Sequence, residues 1–204
     1  MKKLLWALLP LAVLASCGKS SERKILVVAN GEINVAGKTI KVTNPSDGAV
    51  EQLVDLKDAK QTSYDVDVDG KASNINLPAE DGYYIINLMK DTVFGSELIE
   101  GRDYNASEDL GLDKQKAMID SLQLVLQGQN ISEANKNFMI LPGQLAKITN
   151  DVGHAHVFGP FHAMDSNIDM PADGKAPILY KFYSSDELRT RLQTVIESYN
   201  ATGE

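Results

Sequence analysis

The chain has 204 residues, of which 43% are hydrophobic and 24% are charged, so it can bury a core of ordinary size. Its formal net charge of −8 opposes binding to nucleic acid or to anionic lipid headgroups, because their phosphates repel it. The only cysteine, Cys17, leaves no partner for an intramolecular disulfide and excludes a site built from several cysteines.

The amino-terminal stretch predicts export. Lys2 and Lys3 give a positively charged start, residues 4–14 form an apolar run, and small residues lead to Cys17. The run is about half the roughly 20 residues that a membrane-spanning helix needs, so residues 1–16 are interpreted as a cleaved signal peptide.

Residues 14–17, Leu-Ala-Ser-Cys, resemble the lipobox of bacterial lipoproteins. The resemblance implies cleavage before Cys17 and attachment of fatty acids such as palmitate to its thiol and new amino terminus. Residues 17–23 would then be the lipidated cysteine and its tether, and the acyl chains alone would hold the protein on a membrane. The alternative is an ordinary signal peptide with an incidental cysteine. Segment 18–22 lacks the acidic cluster of many surface-displayed Bacteroidota lipoproteins, which favours an outer-membrane anchor facing the periplasm.

Residues 24–99 predict a β-rich domain, because short runs of β-branched residues alternate with turn signals. Asn30-Gly31 predicts a hairpin between strands at 25–28 and 32–35, and residues 90–91 predict another between strands at 83–88 and 92–98. The apolar spacing of 50–56 suits a short helix or a strand, and its neighbours favour a strand. The regular spacing predicts an antiparallel sandwich or meander.

The polar stretch 100–112 is interpreted as a linker or long loop, and 113–204 as a smaller α+β segment. Strands are predicted at 138–141, 145–148, 155–158 and 178–183. A capping box at Ser184 and Glu187 predicts the start of a carboxyl-terminal amphipathic helix. A first amphipathic helix, ended by Gly128, is predicted from apolar residues that share one helical face: Met118, Ile119, Leu122, Val125 and Leu126. The predicted fold class is therefore α+β.

Asp65, Asp67, Asp69 and Gly70 match the opening of a helix–loop–helix calcium site. The twelfth position, where a bidentate glutamate should complete the shell, is Asn76, and no amphipathic helix flanks the motif. The alternating valines favour a hairpin whose turn is Asp69-Gly70.

The three histidines, His154, His156 and His162, lie within nine residues. His154 and His156 would share one face of a strand, a way to present two imidazoles to Zn²⁺ or another transition metal. A bend at Gly159-Pro160 would bring His162 back towards them, and Asp151 or Asp165 would be a further ligand. A solvated strand face explains the same pattern without a metal. A histidine acting as a general base would also need an orienting partner, which the sequence does not place.

Residues 24–204 also resemble uncharacterised Bacteroidota lipoproteins, in the hairpins up to Thr92-Val93, the helix with Asp120-Ser121-Leu122, and the 179–183 strand before a terminal helix. This resemblance implies a compartment and no activity. The chain has no phosphate-binding loop, nucleophile elbow or zinc-protease motif. The first hypothesis is therefore a lipid-anchored envelope protein with a non-enzymatic role that binds another envelope protein or a glycan. A metal-binding protein or metallohydrolase is the second, and a carbohydrate-binding module the third.

Overall fold

The computed structural model describes residues 22–44, 49–58, 60–98, 111–132, 134–164, 168 and 173–202. The predicted signal peptide, Cys17 with most of its tether, and most of the 100–112 stretch lie outside these residues. In chain order the elements are β1 (Arg23–Asn30), β2 (Glu32–Ala36), β3 (Thr39–Thr43), β4 (Ala49–Leu56), β5 (Ser63–Val68), β6 (Lys71–Asn76), β7 (Gly82–Leu88), β8 (Val93–Leu98), α1 (Leu112–Leu126), β9 (Asn137–Ile140), β10 (Leu145–Thr149), β11 (Ala155–Phe158), β12 (Ile178–Ser184) and α2 (Ser185–Thr202).

The described strands form three sheets of four strands each. The central sheet has the order β10-β7-β1-β4, the outer sheet β2-β3-β5-β6, and the helix-side sheet β11-β12-β8-β9. Each sheet contains one parallel pair, which is β1 with β7, β3 with β5, and β11 with β12. The α+β class is confirmed, but the strands of 24–99 are spread over three mixed sheets and do not form one antiparallel sandwich.

The two middle strands of the central sheet, β1 and β7, are buried on both faces. In β1, Ile25 and Val27 face a core shared with the outer sheet, whereas Leu26 and Val28 face a core shared with the helix-side sheet. A third cluster packs Phe94 and Tyr183 of the helix-side sheet's other face against the two helices. Because β1 and β7 are covered on both sides, they read as continuous apolar runs and not as alternating ones.

Two predicted hairpins are wrong. Asn30-Gly31 does not return the chain onto β1, because β1 pairs with β4 and β7 while β2 pairs with β3 in the outer sheet. In the same way β7 lies in the central sheet and β8 in the helix-side sheet. Both turns are corners at which the chain passes from one layer to the next.

Other local predictions are confirmed. Residues 49–56 form a strand, and Gly128 with φ +71° follows the carboxyl end of α1. At the start of α2, the Glu187 amide donates to Ser184 Oγ at 3.2 Å, as a capping residue requires. The buried Ser185 beside it donates its hydroxyl to the Asp91 carboxylate at 2.8 Å, which fixes this helix to the corner between β7 and β8.

The central and helix-side sheets both contain strands from either side of the 100–112 stretch. The division into a 24–99 domain and a 113–204 segment stays a prediction. Among the described helices, none is long and apolar enough to cross a membrane.

Candidate functional site

The three predicted histidine positions lie on and around β11. The candidate site is the turn that follows this strand. Residues 159–162, Gly-Pro-Phe-His, form a turn in which the His162 amide donates to the Gly159 carbonyl at 3.4 Å. Pro160 occupies the second position, where its fixed φ suits a type I or II turn. We call these four residues the 159–162 turn.

A buried carboxylate from β4 holds one side of this turn. The Glu51 side chain is only 3% exposed. One of its oxygens accepts the Phe161 amide N–H at 2.6 Å, and the other lies 3.0 Å from His162 Nδ1. A Cβ added at Gly159 would collide with this carboxylate, so a larger residue here would displace Glu51 from its contacts with the turn.

A buried cation from β12 holds the other side. Lys181 Nζ donates to the Gly159 carbonyl at 2.8 Å and to the His162 carbonyl at 2.7 Å. Burial lowers the pKa of Lys181, while the nearby Glu187 and Glu51 carboxylates partly offset this effect. The turn therefore presents its carbonyl oxygens to a cation and an amide to an anion, so both charges are bound to its backbone.

The outer side of the turn faces solvent. Phe161 is 40% exposed and the His162 side chain is 72% exposed. When His162 Nδ1–H donates to Glu51, Nε2 is the ring nitrogen left to face outward, where it can accept a hydrogen bond or, when protonated, donate one. An aromatic ring and an oriented imidazole on a fixed backbone can recognise a ligand without first being ordered.

His154 lies just before β11 and is held differently. Its Nδ1 is 2.6 Å from Asp151 Oδ1, and its Nε2 is 2.9 Å from Asp173 Oδ2. A neutral imidazole has one N–H, so hydrogen bonds to two ionised carboxylates require the protonated ring. The hydrogen bond to Asp151, followed by that to Asp173, raises the pKa of His154.

Asp173 forms the outer end of this arrangement, the His154 clasp. The backbone N–H of Lys175, followed by the His154 hydrogen bond, lowers the pKa of Asp173 to about 2. The clasp joins the turn between β10 and β11 to the segment that leads into β12. Both ring nitrogens are used in it, which leaves no lone pair on this imidazole for a metal.

His156 lies on β11, is half-buried, and is paired in register with Leu179 of β12. The three histidines are close together in sequence, but in the structure His154 and His162 have separate carboxylate partners. Within the described residues, no three His, Cys, Asp or Glu side chains are grouped so that they could hold a metal ion. A transition-metal site at His154, His156 and His162 stays a prediction.

The aspartates of the predicted calcium motif form the hairpin that the sequence favoured. Strands β5 and β6 pair antiparallel, and Asp69 and Gly70 have φ values of +53° and +77° in the turn between them. Asp67 accepts the Gly70 amide at 2.8 Å, and Asp65 accepts an Asn74 amide proton at 2.9 Å. Strands and not helices flank this motif.

A cleft lies between the helix-side sheet and the two helices. This cleft is lined by Phe94, Leu122, Val125 and Tyr183, among others. The Arg191 guanidinium lies 4.8 Å from the centre of the Tyr183 ring, a cation–π contact that stabilises the packing of α2 on the sheet.

Sequence reasoning missed the two charged groups that hold the turn. Glu51 belongs to a strand with no motif, and Lys181 lies in a strand that was predicted without a role for the lysine. Gly159-Pro160 was the one available signal, since the pair indicates a bend before His162. No protein-family model, no curated protein and no solved structure matches this chain.

Proposed function

We propose that this chain is a lipid-anchored protein of the bacterial cell envelope with a non-enzymatic binding role, and that the 159–162 turn is part of its binding surface. The partner is another envelope protein or a glycan. The observation that carries the proposal is the pair of buried charges, Glu51 and Lys181, which fix a turn whose Phe161 and His162 side chains face solvent.

Energetics support this interpretation. Removing a charge from water is costly unless hydrogen bonds replace the lost hydration. Burying an ion is therefore an expensive way to stabilise a surface turn, and a turn can form without one. Here two such ions restrict the turn to one conformation. A binding surface gains affinity when its side chains are ordered before the partner arrives.

The buried charges are also engaged in a way that supports binding over catalysis. Arg23, which is 2% exposed, donates to the carbonyls of Asp58, Gln61 and Pro78 at 2.5 to 3.0 Å. Lys181 likewise binds two carbonyls, and Glu51 binds an amide and an imidazole of its own chain. In the described part of the chain these groups hold loops in place.

The anchor rests on the lipobox-like residues 14–17 and is tested separately. We expect mass spectrometry of the mature protein to find an acylated amino-terminal Cys17. The Cys17→Ser variant should leave the membrane fraction, whereas a Ser20→Ala control should stay in it. An unmodified amino terminus at another residue would contradict the anchor.

The binding role is tested by affinity purification of the full-length chain from detergent-solubilised envelope, with quantitative proteomic and glycan analysis. We expect a partner that is recovered with the wild type and lost with Phe161→Ala. The matched control is Leu141→Ala, because Leu141 is as exposed as Phe161, at 41% against 40%, and lies between β9 and β10. Equal recovery with both variants would contradict a role for the turn.

The alternative of a metal-binding protein or metallohydrolase is supported by one contact. A carboxylate that accepts Nδ1–H from His162 orients the imidazole as metal ligands and general bases are oriented. Metal analysis of the purified protein decides between the two. A stoichiometric transition metal that is lost with His156→Ala or His162→Ala would favour the alternative.

A further inference from the structure

Strand β4 forms one edge of the central sheet. It is eight residues long and pairs along one side with β1, and no described strand lies along its other side. Its side chains Val50 and Leu53 are 42% and 50% exposed, which makes them the most exposed large apolar residues of the described chain. An edge of this length offers unpaired amides and carbonyls to another extended segment.

The two exposed side chains lie on opposite faces of the sheet. Val50 is in register with Ala29, which faces the core of the outer sheet, and Leu53 is in register with Leu26, which faces the core of the helix-side sheet. Leu53 shares its face with Glu51, which holds the 159–162 turn. A strand added beside β4 would alternate its side chains between these two faces, and both faces offer an apolar neighbour.

Within the described strand, this edge carries no lysine, no proline and no bulge. Edge strands are commonly blunted by lysine, proline or a bulge, and β4 has the sequence Ala-Val-Glu-Gln-Leu-Val-Asp-Leu with an uninterrupted register to β1. Its two charges are both acidic, and one of them, Glu51, is bound to the turn. Asp55 is exposed, with Lys24 opposite it on β1.

We propose that the β4 edge binds an extended segment of a partner protein, which adds a fifth strand to the central sheet. The segment places apolar side chains beside Val50 and Leu53 and a basic side chain beside Asp55, which continues the alternation of charge that Lys24 begins. A second copy of β4 fits less well, because antiparallel pairing centred on Leu53 would set Asp55 opposite Glu51. This inference rests on the proposed function and selects a protein over a glycan as the partner.

The test uses the full chain in its own cells, with a photo-crosslinking amino acid at position 53, 161 or, as a control, 141. We expect positions 53 and 161 to crosslink to the same protein. Position 141 should not crosslink to it. A synthetic peptide of the segment crosslinked at position 53 should then slow hydrogen exchange of the 50–56 amides. It should bind the Leu53→Lys variant at least tenfold more weakly than the Leu141→Lys variant.

Each other outcome decides against the inference in a distinguishable way. Crosslinks from position 161 without any from position 53 would leave the binding function standing and overturn the edge site. A crosslink from position 53 to a glycan or to a second copy of this chain would also overturn it, as would a peptide that leaves exchange of 50–56 unchanged. Crosslinks from neither position would overturn the inference and the proposed function together.

Discussion

Two histidines on either side of β11 are both paired with carboxylates, but burial is reversed between them. In the His154 clasp the imidazole is 17% exposed and its two carboxylates are 45% and 44% exposed. At the 159–162 turn the Glu51 carboxylate is 3% exposed and the imidazole is 72% exposed. The clasp satisfies both ring nitrogens within the protein, whereas the turn leaves one nitrogen directed at solvent.

The difference distinguishes a histidine that joins two segments of the protein from one that presents its ring to solvent. A histidine bonded at both nitrogens can only join the segments that hold it, and its charge state decides how strongly it does so. A histidine bonded at one nitrogen by a buried carboxylate keeps a fixed orientation and a free edge. Proximity in sequence therefore says little about shared function among these three histidines.

The largest expected effect comes from removing the buried acid. Glu51→Ala deletes the acceptor of the Phe161 amide and of His162 Nδ1, and we expect the free energy of unfolding to fall by about 3 kcal/mol. Denaturant unfolding measures this loss. Glu51→Gln, which retains an acceptor oxygen, should lose about half as much; an alanine variant as stable as wild type would show that the carboxylate does not hold the turn.

The next effect tests the close packing of the same contact. Gly159→Ala drives a methyl group into the Glu51 carboxylate, and overpacking of this kind lowers the free energy of unfolding by about 2 kcal/mol. The matched control is Gly153→Ala in the clasp region, where the nearest atom to an added Cβ is Asp151 Oδ1 at 3.9 Å. We expect the control to stay within about 0.5 kcal/mol of wild type in the same unfolding assay.

The clasp is tested by pH. The raised pKa of His154 means that its contribution to stability is complete below pH 6.5 and is lost as the pH rises through the pKa of the folded state. The lowered pKa of Asp173 means that its contribution to stability is complete above pH 3.8 and is lost as the pH falls to about 2. The clasp should therefore be strongest between these limits, and unfolding measured across the pH range checks this window.

A substitution sharpens the same test. Asp173→Asn removes one of the two charged acceptors, so the pKa of His154 should move down towards its ordinary value. An NMR titration of the imidazole protons follows it directly. An unchanged titration of His154 in this variant would contradict the clasp.

The smallest effect on stability is expected at the exposed histidine. His162→Gln retains a side-chain donor for Glu51 on a largely exposed residue, and we expect a change of about 0.5 kcal/mol in the free energy of unfolding. Partner recovery should nevertheless fall, since the imidazole is lost. A loss of stability as large as that of Glu51→Ala would mean that His162 is a structural residue and would remove the contrast with the clasp.

Local features were predictable from sequence wherever one short stretch determines them. The Asp69-Gly70 turn, the cap at Ser184 and the terminating Gly128 depend on a few neighbouring residues, and all three are confirmed. The pairing of β1 could not be predicted in this way, because its apolar run fits any strand that is buried on both faces. Asn30-Gly31 consequently suggested a hairpin at what is a passage between layers.

The candidate site was predictable only in part for the same reason. The sequence directed attention to His162 and to the bend at Gly159-Pro160, which are local signals. Glu51 lies 111 residues from His162, and nothing in its own strand distinguishes it from a solvated glutamate. Glu51 is a buried acceptor only because β4 packs beside the 159–162 turn.

The parallel pairing of β1 with β7 has a consequence for how the molecule assembles. Residues 23–30 meet residues 82–88 only after a long loop has closed, and the other neighbour of β7 is β10, at 145–149. Closing such loops loses chain entropy before any contact repays it, which slows folding. The central sheet is therefore complete only once residues 145–149, about three quarters of the way along the chain, have joined it.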